Sequence, residues 1–367
     1  MSAVRVLHVT ARTPYARKLR SEVVQLVNGA ATPLDVPVPR DASLSWLMAN
    51  RPWGWFDALH LHHLDFETAT TLNAALTECR RAGKPVVFTA HDVTPVFGER
   101  GDHCRKLRIL AEQDVPMVTL TPGADRQTRL SLGGAAQTVL LPHGYVVPPE
   151  EAVTQRQADR APGPTRFLIW GSTRRNRDIE MVLHCWRFSR RLHDSTLHLL
   201  LRAPSRASLG EEFPAWRAIR EHSADPRLVV DVLPFPTDEE VAEAVAGADC
   251  LVLPYRWASH SGQLELGFDL DVLSVAARSG YLPDQAEHLA GLTAEPIWFD
   301  WSDGTKFEYG ARLLTALEQA HTLTQNGRNR PDGPAFFAHR RCEHELLMAT
   351  YERLYRGEPA GPIGEDR

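Results

Sequence analysis

One rhythm constrains this chain more than any other feature. Short apolar runs recur along it, and an amphipathic stretch follows each one. In the first half the runs are "VRVLHV", "FDALHLHH", "PVVFTAHD", "VPMVTLT" and "QTVLLPHG". In the second half they are "RFLIWG", "LHLLLRA", "RLVVDVL", "CLVLPY", "VLSVAA" and "PIWFD". They are rich in Val and Leu and lack the polar alternation of a one-sided sheet, which predicts strands covered on both faces. Helical patterns such as "DFETATTLNAALTECRRAG", "DIEMVLHCWRFSRRL" and "TDEEVAEAVAGAD" lie between them. The first closes on Gly83, a C-cap, followed by Lys84 and Pro85. The third opens on Thr237 with Glu240 three residues on, a capping box. Strand–helix alternation on this scale predicts an α/β fold of parallel, doubly wound sheets.

The chain has 367 residues, 43% of them hydrophobic, too many for one compact core. The rhythm breaks at "VVPPEEAVTQRQADRAPGPT", which is Pro-rich, polar and aperiodic. The expected organisation is a first Rossmann-like domain over 1–148, a linker over 149–165, and a second Rossmann-like domain over 166–344. A closing helix over 345–357 carries Leu346, Leu347, Tyr351 and Leu354 at helical spacing, and is expected to pack back on the first domain. A tail over 358–367 follows it.

Several functions are excluded at this level. A formal net charge of -5 does not suit a nucleic-acid partner. No apolar run is long enough to span a bilayer, and the opening "MSAVRVLHVT" enters a strand pattern without a signal-peptide core, so no integral membrane contact is expected. The five cysteines are scattered and form no CxxC, which fits a reducing cytoplasm. No HExxH motif or cysteine cluster supports a metal site.

Open α/β sheets bind ligands at the carboxyl ends of their strands, so the chemistry is sought there, in a cleft between the two sheets. "LPYRWASHSGQLELGFD" hands a buried strand to a helix through the small pair Ser261-Gly262. A helix start presents unpaired N–H groups and partial positive charge, a seat for phosphate; an ordinary turn with Ser261 as N-cap is the alternative. "WGSTRRNRD" follows a strand with Arg174, Arg175 and Arg177, whose guanidinium forks suit phosphate oxygens unless the loop is merely solvated. Histidines end several strands. Alternation puts His60 and His62 on one face and His63 on the other; His91 stands beside Asp92, and His143 ends "LLPHG". A strand-end His suits hydrogen bonding to a sugar or proton transfer, although packing accounts for at least two of His60, His62 and His63. Trp46, Trp53 and Trp55 form an aromatic loop that either stacks on a ligand or packs on its own domain.

These segments carry a resemblance over nearly the whole chain. "PVVFTAHD", "VLLPHGYVVP", "FLIWGSTRRNRDIEMVLHCW" and "RLVVDVLPFPTDEEVAEAVAGADCLVLPY" resemble successive segments of GT-B glycosyltransferases, and within them the retaining family 4 (glycosyltransferase group 1). The resemblance implies a metal-independent enzyme moving a sugar from a nucleotide-diphosphate sugar to a small-molecule or glycan hydroxyl. No cofactor is implied beyond that co-substrate. It places His91 and Arg177 as catalytic residues, with Arg177 where the family has its phosphate-binding Lys. Ser172 stands at the family's Arg, with Arg174 or Arg175 substituting. Ser172, Arg174, Arg175, Arg177, Ser261 and Gly262 are the implied diphosphate contacts. His62, Asp92, His143 and His260 are the implied acceptor or sugar contacts. The family's two Glu positions fall near Ser259 and Gly267, neither acidic, so Glu265 and Asp269 are the expected ribose contacts. Two rivals stand beside this reading: a sugar-nucleotide epimerase or pseudo-glycosyltransferase of the same fold, and a non-catalytic transferase-like partner.

Overall fold

The computed structural model describes residues 2–9, 14–28, 38–39, 41–96, 98–134, 136–156, 163–204, 209–301, 305–327 and 333–360. The chain divides into two compact units, Met1–Gly144 with Arg341–Arg367, and Tyr145–Arg340.

The first unit contains β1 (Val4–Val9), α1 (Pro14–Lys18), β2 (Val24–Leu26), α2 (Leu44–Asn50), β3 (Ala58–Leu61), α3 (Ala69–Arg81), β4 (Val86–Thr89), α4 (Arg100–Glu112), β5 (Met117–Thr119), α5 (Pro122–Ser131) and β6 (Thr138–Leu140). Its six strands pair in the order β2-β1-β3-β4-β5-β6, with all its pairings parallel. The short edge strand β2 had no counterpart in the sequence rhythm. α3 ends where Gly83 takes a φ of 62°, the left-handed conformation a glycine C-cap supplies.

The second unit contains α6 (Pro149–Arg156), β7 (Arg166–Gly171), α7 (Ile179–Phe188), β8 (Thr196–Arg202), α8 (Leu209–His222), β9 (Leu228–Leu233), α9 (Asp238–Gly247), β10 (Cys250–Leu253), α10 (Gly262–Asp269), β11 (Leu273–Ala277), α11 (Leu282–Glu287), β12 (Ile297–Phe299) and α12 (Lys306–Asn326). Its strands pair in the order β12-β11-β10-β7-β8-β9, again all parallel. The capping box at Thr237 forms: its hydroxyl accepts from the Glu240 N–H at 3.1 Å, and Glu240 accepts from the Thr237 N–H at 2.7 Å. β9 is an edge strand, so Val229 and Val232 stay exposed where a strand covered on both faces was expected.

The last helix, α13 (Gly333–Tyr355), runs through the division at Arg340. Phe336 and Phe337 pack in the core of the second unit, while Leu347, Tyr351, Leu354 and Tyr355 pack against Val4, Val6, Val87 and Val118 in the first. Leu346, expected on that apolar face, is exposed. The stretch read as a linker from 149 begins instead as helix α6, whose Ala152 is fully buried with Val147 in the second unit's core. Of the rest of that stretch, 157–162 lie outside the described residues, as do 361–367 of the tail.

Both sheets reverse their winding once. In the first the reversal falls between β1 and β3, in the second between β7 and β10, and in each it opens a crevice at the strands' carboxyl ends. The two reversal points share a frame. Asp57, just before β3, accepts from the Arg5 backbone N–H at 2.9 Å and from its guanidinium at 3.0 and 2.9 Å. Asp249, just before β10, accepts from Arg166 in the same way at 2.9, 3.0 and 3.1 Å. Each ion pair ties the amino end of the unit's first central strand to its neighbour across the reversal.

Candidate functional site

At the second unit's reversal point the loop after β7 folds back on the start of α10. Arg177 donates through Nη1 to the Trp170 carbonyl at 2.7 Å and through Nη2 to the Tyr255 hydroxyl at 3.0 Å, and its guanidinium lies over the Tyr255 ring at 5.0 Å. Gln263 donates to the same Trp170 carbonyl at 2.7 Å and accepts from the Tyr255 hydroxyl at 3.2 Å. Gly171 makes room for this knot. Its φ is 103°, and a Cβ there would lie 2.8 Å from Arg177 Nη1 and 3.0 Å from Gln263 Nε2. The structure therefore brings Arg177 together with the helix start, through Tyr255 and Gln263, which sequence reasoning did not single out. The position of Tyr255 right after an apolar strand at the reversal point was the available signal.

The other arginines of the loop are held more loosely. Arg174 donates from Nε to the Ser172 hydroxyl at 2.9 Å, and Arg175 is exposed beside Trp257, 5.6 Å from the ring. Asp178 caps α7 and pairs with Arg256 at 3.1 Å.

Ser261 is the N-cap of α10, its hydroxyl accepting from the Leu264 N–H at 3.2 Å and donating to Tyr255 at 3.2 Å. The capping alternative thus describes what the side chain does here. Gly262 is not among the positive-φ residues, so its backbone does not require glycine. Its neighbour His260 is half-buried.

Glu265 and Asp269, the expected ribose contacts, have another task. Both are buried, and both bond Arg340, at 2.6 and 3.0 Å. Asp269 also accepts from the Val146 and Val147 N–H groups at 2.6 and 3.1 Å, and Glu265 accepts from Gln285 at 2.7 Å. They face the base of α13 and hold it to α10. At the family's second Glu position a Cβ on Gly267 would lie 2.8 Å from Ser274 Oγ, so the Ser274 hydroxyl would have to turn aside.

The first unit's reversal point is lined with imidazoles. β1 pairs with β3 so that His8 lies opposite His60. His8 Nδ1 lies 2.8 Å from His62 Nε2, and His62 Nδ1 lies 3.1 Å from His91 Nε2. His60 bonds the Tyr355 hydroxyl at 2.7 Å and the Thr89 hydroxyl at 2.8 Å; Thr89 reaches Tyr351 at 2.6 Å, and Tyr351 reaches Tyr15 at 3.1 Å. Burial pushes His8 down to about 3 and holds His60 and His62 well below the ordinary histidine range. It also raises the phenols of Tyr351 and Tyr355. His63 is half-buried with its ring 5.3 Å from that of His91, and Asp92 is half-buried.

Tyr15 and Lys18, on α1, complete this group. The Tyr15 ring meets His91 edge-on at 4.9 Å and His143 at 5.1 Å. Lys18 lies 4.4 Å from the Tyr15 ring centroid and 3.3 Å from His143 Nδ1, and donates to the His143 carbonyl. His91, His62 and His143 are thus gathered in one unit; His260 belongs to the other. Trp46 and Trp53 pack against the first unit's core, with Trp53 5.9 Å from Phe56, and Trp55 is partly exposed.

No protein-family model matches the sequence, and no curated protein matches it. Solved structures do. Sucrose-phosphate synthase from Thermosynechococcus elongatus aligns with a TM-score of 0.61 at 15% identity, covering 97% of this chain and 100% of that one. HepE from Anabaena, in complex with UDP, aligns at 0.60 and 13%, covering 95% and 99%. A UDP-forming α,α-trehalose-phosphate synthase from Burkholderia xenovorans, in complex with glucose-6-phosphate, aligns at 0.54 and 11%, covering 86% and 74%. The chain has the GT-B fold. Each of the two α/β sheets of this GT-B chain carries its polar cluster at its own reversal point. Among the described residues no helix is long and apolar enough to cross a membrane.

Proposed function

We propose that the chain is a glycosyltransferase that takes a sugar from a nucleotide-diphosphate donor without a divalent metal. The carrying observation is the convergence of Arg177, Tyr255, Gln263 and the Ser261 helix start at the second unit's reversal point. Breaking the donor's anomeric bond leaves negative charge on the β-phosphate, and a fixed cation beside a helix start stabilises it as it forms. Arg177 has five donors, and the bonds within the loop use Nη1 and one hydrogen of Nη2, so Nε and the second Nη2 hydrogen remain for phosphate. Arg174 and Arg175 supply further positive charge at the loop's outer face. His91, with Tyr15, Lys18 and His143 around it, orients the transferred sugar or an acceptor hydroxyl in the first unit. HepE in complex with UDP and a trehalose-phosphate synthase in complex with glucose-6-phosphate share this fold, which supports a nucleotide-sugar donor and a sugar-type acceptor. Retention of anomeric configuration and a small-molecule or glycan acceptor follow from the resemblance to family 4, and the scattered cysteines support a cytoplasmic setting.

The second reading is a non-catalytic transferase-like partner. It is favoured by glycine at 267, where the family has a Glu, and by the use of Glu265 and Asp269 in holding Arg340. Donor hydrolysis in the absence of acceptor separates the two, and calorimetric titration of UDP, ADP, GDP and TDP in EDTA tests the donor site itself. At least one should bind, and Arg177→Ala should weaken it about tenfold or more, since charged hydrogen bonds contribute about 1.5–3 kcal/mol. Absence of binding by all four, or an unchanged affinity in the folded variant, overturns the donor assignment.

A further inference from the structure

Gln285, on α11, grips the turn that leads into α10. Its side chain is buried and makes three hydrogen bonds. Oε1 accepts from the Ser261 N–H at 2.8 Å. Nε2 donates to the Ser261 carbonyl at 2.9 Å and to Glu265 Oε1 at 2.7 Å. These partners fix which end of the amide is which. The Ser261 N–H can only donate, so it faces the oxygen. The Ser261 carbonyl accepts, as does the Glu265 carboxylate, which Arg340 holds at 2.6 Å, so both face the NH2 group. The oxygen and both hydrogens of the amide thus act on one turn.

The loop leading into α11 lies against the same turn. The Tyr281 N–H donates to the Ala258 carbonyl at 3.2 Å. Gly280 has a φ of 56°, and a Cβ there would collide with the Ala258 carbonyl oxygen, so only glycine allows this approach. On its other side the turn is tied to the loop after β7. There the Gln263 side chain bonds the Trp170 carbonyl and the Tyr255 hydroxyl, the two groups that also hold Arg177.

The first N–H groups of a helix find no partner within it. Around the start of α10 most are taken by this framework. The Ser261 N–H goes to Gln285, the Leu264 N–H to the Ser261 hydroxyl at 3.2 Å, and the Glu265 N–H to the Ser261 carbonyl at 3.2 Å. Among the described residues, the N–H groups of Gly262 and Gln263 donate to no protein group. Gly262 is half-buried, so the helix start reaches the surface there. The Ser261 carbonyl and the Gly262 N–H share one peptide plane and point opposite ways across it. Holding that carbonyl toward Gln285 therefore fixes the direction of the Gly262 N–H.

We infer that Gln285 is a positioning residue of the donor site, which withdraws the Ser261 N–H from the ligand and sets the N–H groups of Gly262 and Gln263 as the pair that meets the donor's phosphate. This rests on the proposed placement of a diphosphate beside Arg177. Donors fixed before charge develops need no rearrangement as it forms. The link runs on through Glu265 to Arg340, so the acid first sought as a ribose contact acts on the site through Gln285. A Gln285 that only satisfied buried polar groups would, when lost, weaken every part of the nucleotide alike. A positioning Gln285 affects the phosphate contacts and spares the nucleoside.

The test uses the full chain with the best-binding of UDP, ADP, GDP and TDP, and with the matching nucleoside. Amide hydrogen exchange by NMR should show a slow Ser261 N–H in the free wild type and a fast Gly262 N–H. The diphosphate should shift the amide resonances of Gly262 and Gln263 downfield and leave Ser261 protected. Gln285→Leu should free the Ser261 N–H and weaken the diphosphate about tenfold or more, as loss of hydrogen bonds to a charged group does, while the nucleoside binds as before. A fast Ser261 N–H in the wild type overturns the inference. So does a diphosphate that binds without shifting Gly262 and Gln263. So does a folded Gln285→Leu that keeps both affinities or loses both in equal proportion. If Gln285→Leu does not fold, the wild-type spectra with and without the diphosphate decide. Failure of the wild type to bind any of the four overturns the donor assignment, and the positioning role falls with it; a slow Ser261 N–H would then still show the grip of Gln285 as architecture.

Discussion

The two units solve the same problem in opposite ways. Each has a parallel six-stranded sheet, an Arg–Asp pair framing its reversal point, and titratable groups buried nearby. The first unit buries its groups uncharged. His8, His60 and His62 bond to each other, to Thr89 and to phenols, and burial keeps them neutral. The second unit buries its groups charged and paired, with Arg340 between Glu265 and Asp269. Neutral imidazoles make a surface that donates and accepts single hydrogen bonds. Fixed cations and a helix start make a surface for anions. The difference shows how one sheet architecture carries neutral hydrogen-bonding groups at one reversal point and paired charges in the other unit.

Acid should separate the units most strongly. An imidazole whose folded-state pKa is depressed takes up no proton when folded, whereas the unfolded chain takes one below about 6.5. The unfolded state gains protons as pH falls, so stability is lost on the acid side of that value, down to about 3 for His8. Each ring costs up to about 1.4 kcal/mol per pH unit in this window. Among the described residues, the groups packed on or facing the three rings, namely Asn28, Thr89, Tyr15, Tyr351, Tyr355, His63 and His91, include no carboxylate that would hold an imidazolium. Between pH 7.5 and 5 the first unit should lose several kcal/mol. Hydrogen exchange followed by mass spectrometry should show β1, β3 and β4 opening before β7, β8 and β10. Equal loss in both units breaks the contrast.

Arg340→Ala attacks the second unit's solution. It takes the cation from two buried carboxylates, a change that costs about 3–5 kcal/mol where a buried pair loses one partner. Chemical denaturation should register it as a lower midpoint. A loss below about 1 kcal/mol, the range of exposed pairs, would mean that water reaches this triad.

Sequence made the scaffold legible and left much of the site hidden, for physical reasons. Strands buried on both faces announce themselves as unbroken apolar runs, so β1, β7 and β10 were plain from "VRVLHV", "RFLIWG" and "CLVLPY". The three-residue edge strand β2 was not, because an edge strand buries too little to leave a pattern. Arg177 and Ser261 were visible as chemistry at strand ends. Arg340 was not, because nothing local sets a buried arginine apart on a helix with many charged neighbours; its partners lie more than 70 residues away. Glu265 and Asp269 were visible as acids near the reversal point, but their bonds to Arg340 were not, for the same reason. His8 was overlooked inside an apolar run, where only the pairing of β1 with β3 reveals that it faces His60.

The smallest expected effect decides how the helix start is used. Ser261 caps α10, and Ser261→Ala should lower stability by about 1 kcal/mol, the usual worth of an N-cap. That result alone does not separate a cap from a phosphate seat, since both need the hydroxyl. Ser261→Asp does. Aspartate caps helices about as well as serine, so the helix keeps its cap and much of its stability. The same side chain puts a negative charge at the mouth of α10, beside Tyr255 and Gln263, where a diphosphate is proposed to lie. If the helix start holds phosphate, Ser261→Asp should bind UDP far more weakly than Ser261→Ala while being the more stable of the two. If Ser261 is a cap and nothing more, the two variants should rank the same way in stability and bind UDP alike. Equal binding would leave Arg177 as the anion site and confine the helix start to architecture. The second unit's cations, without its helix, would then be what sets it apart from the first.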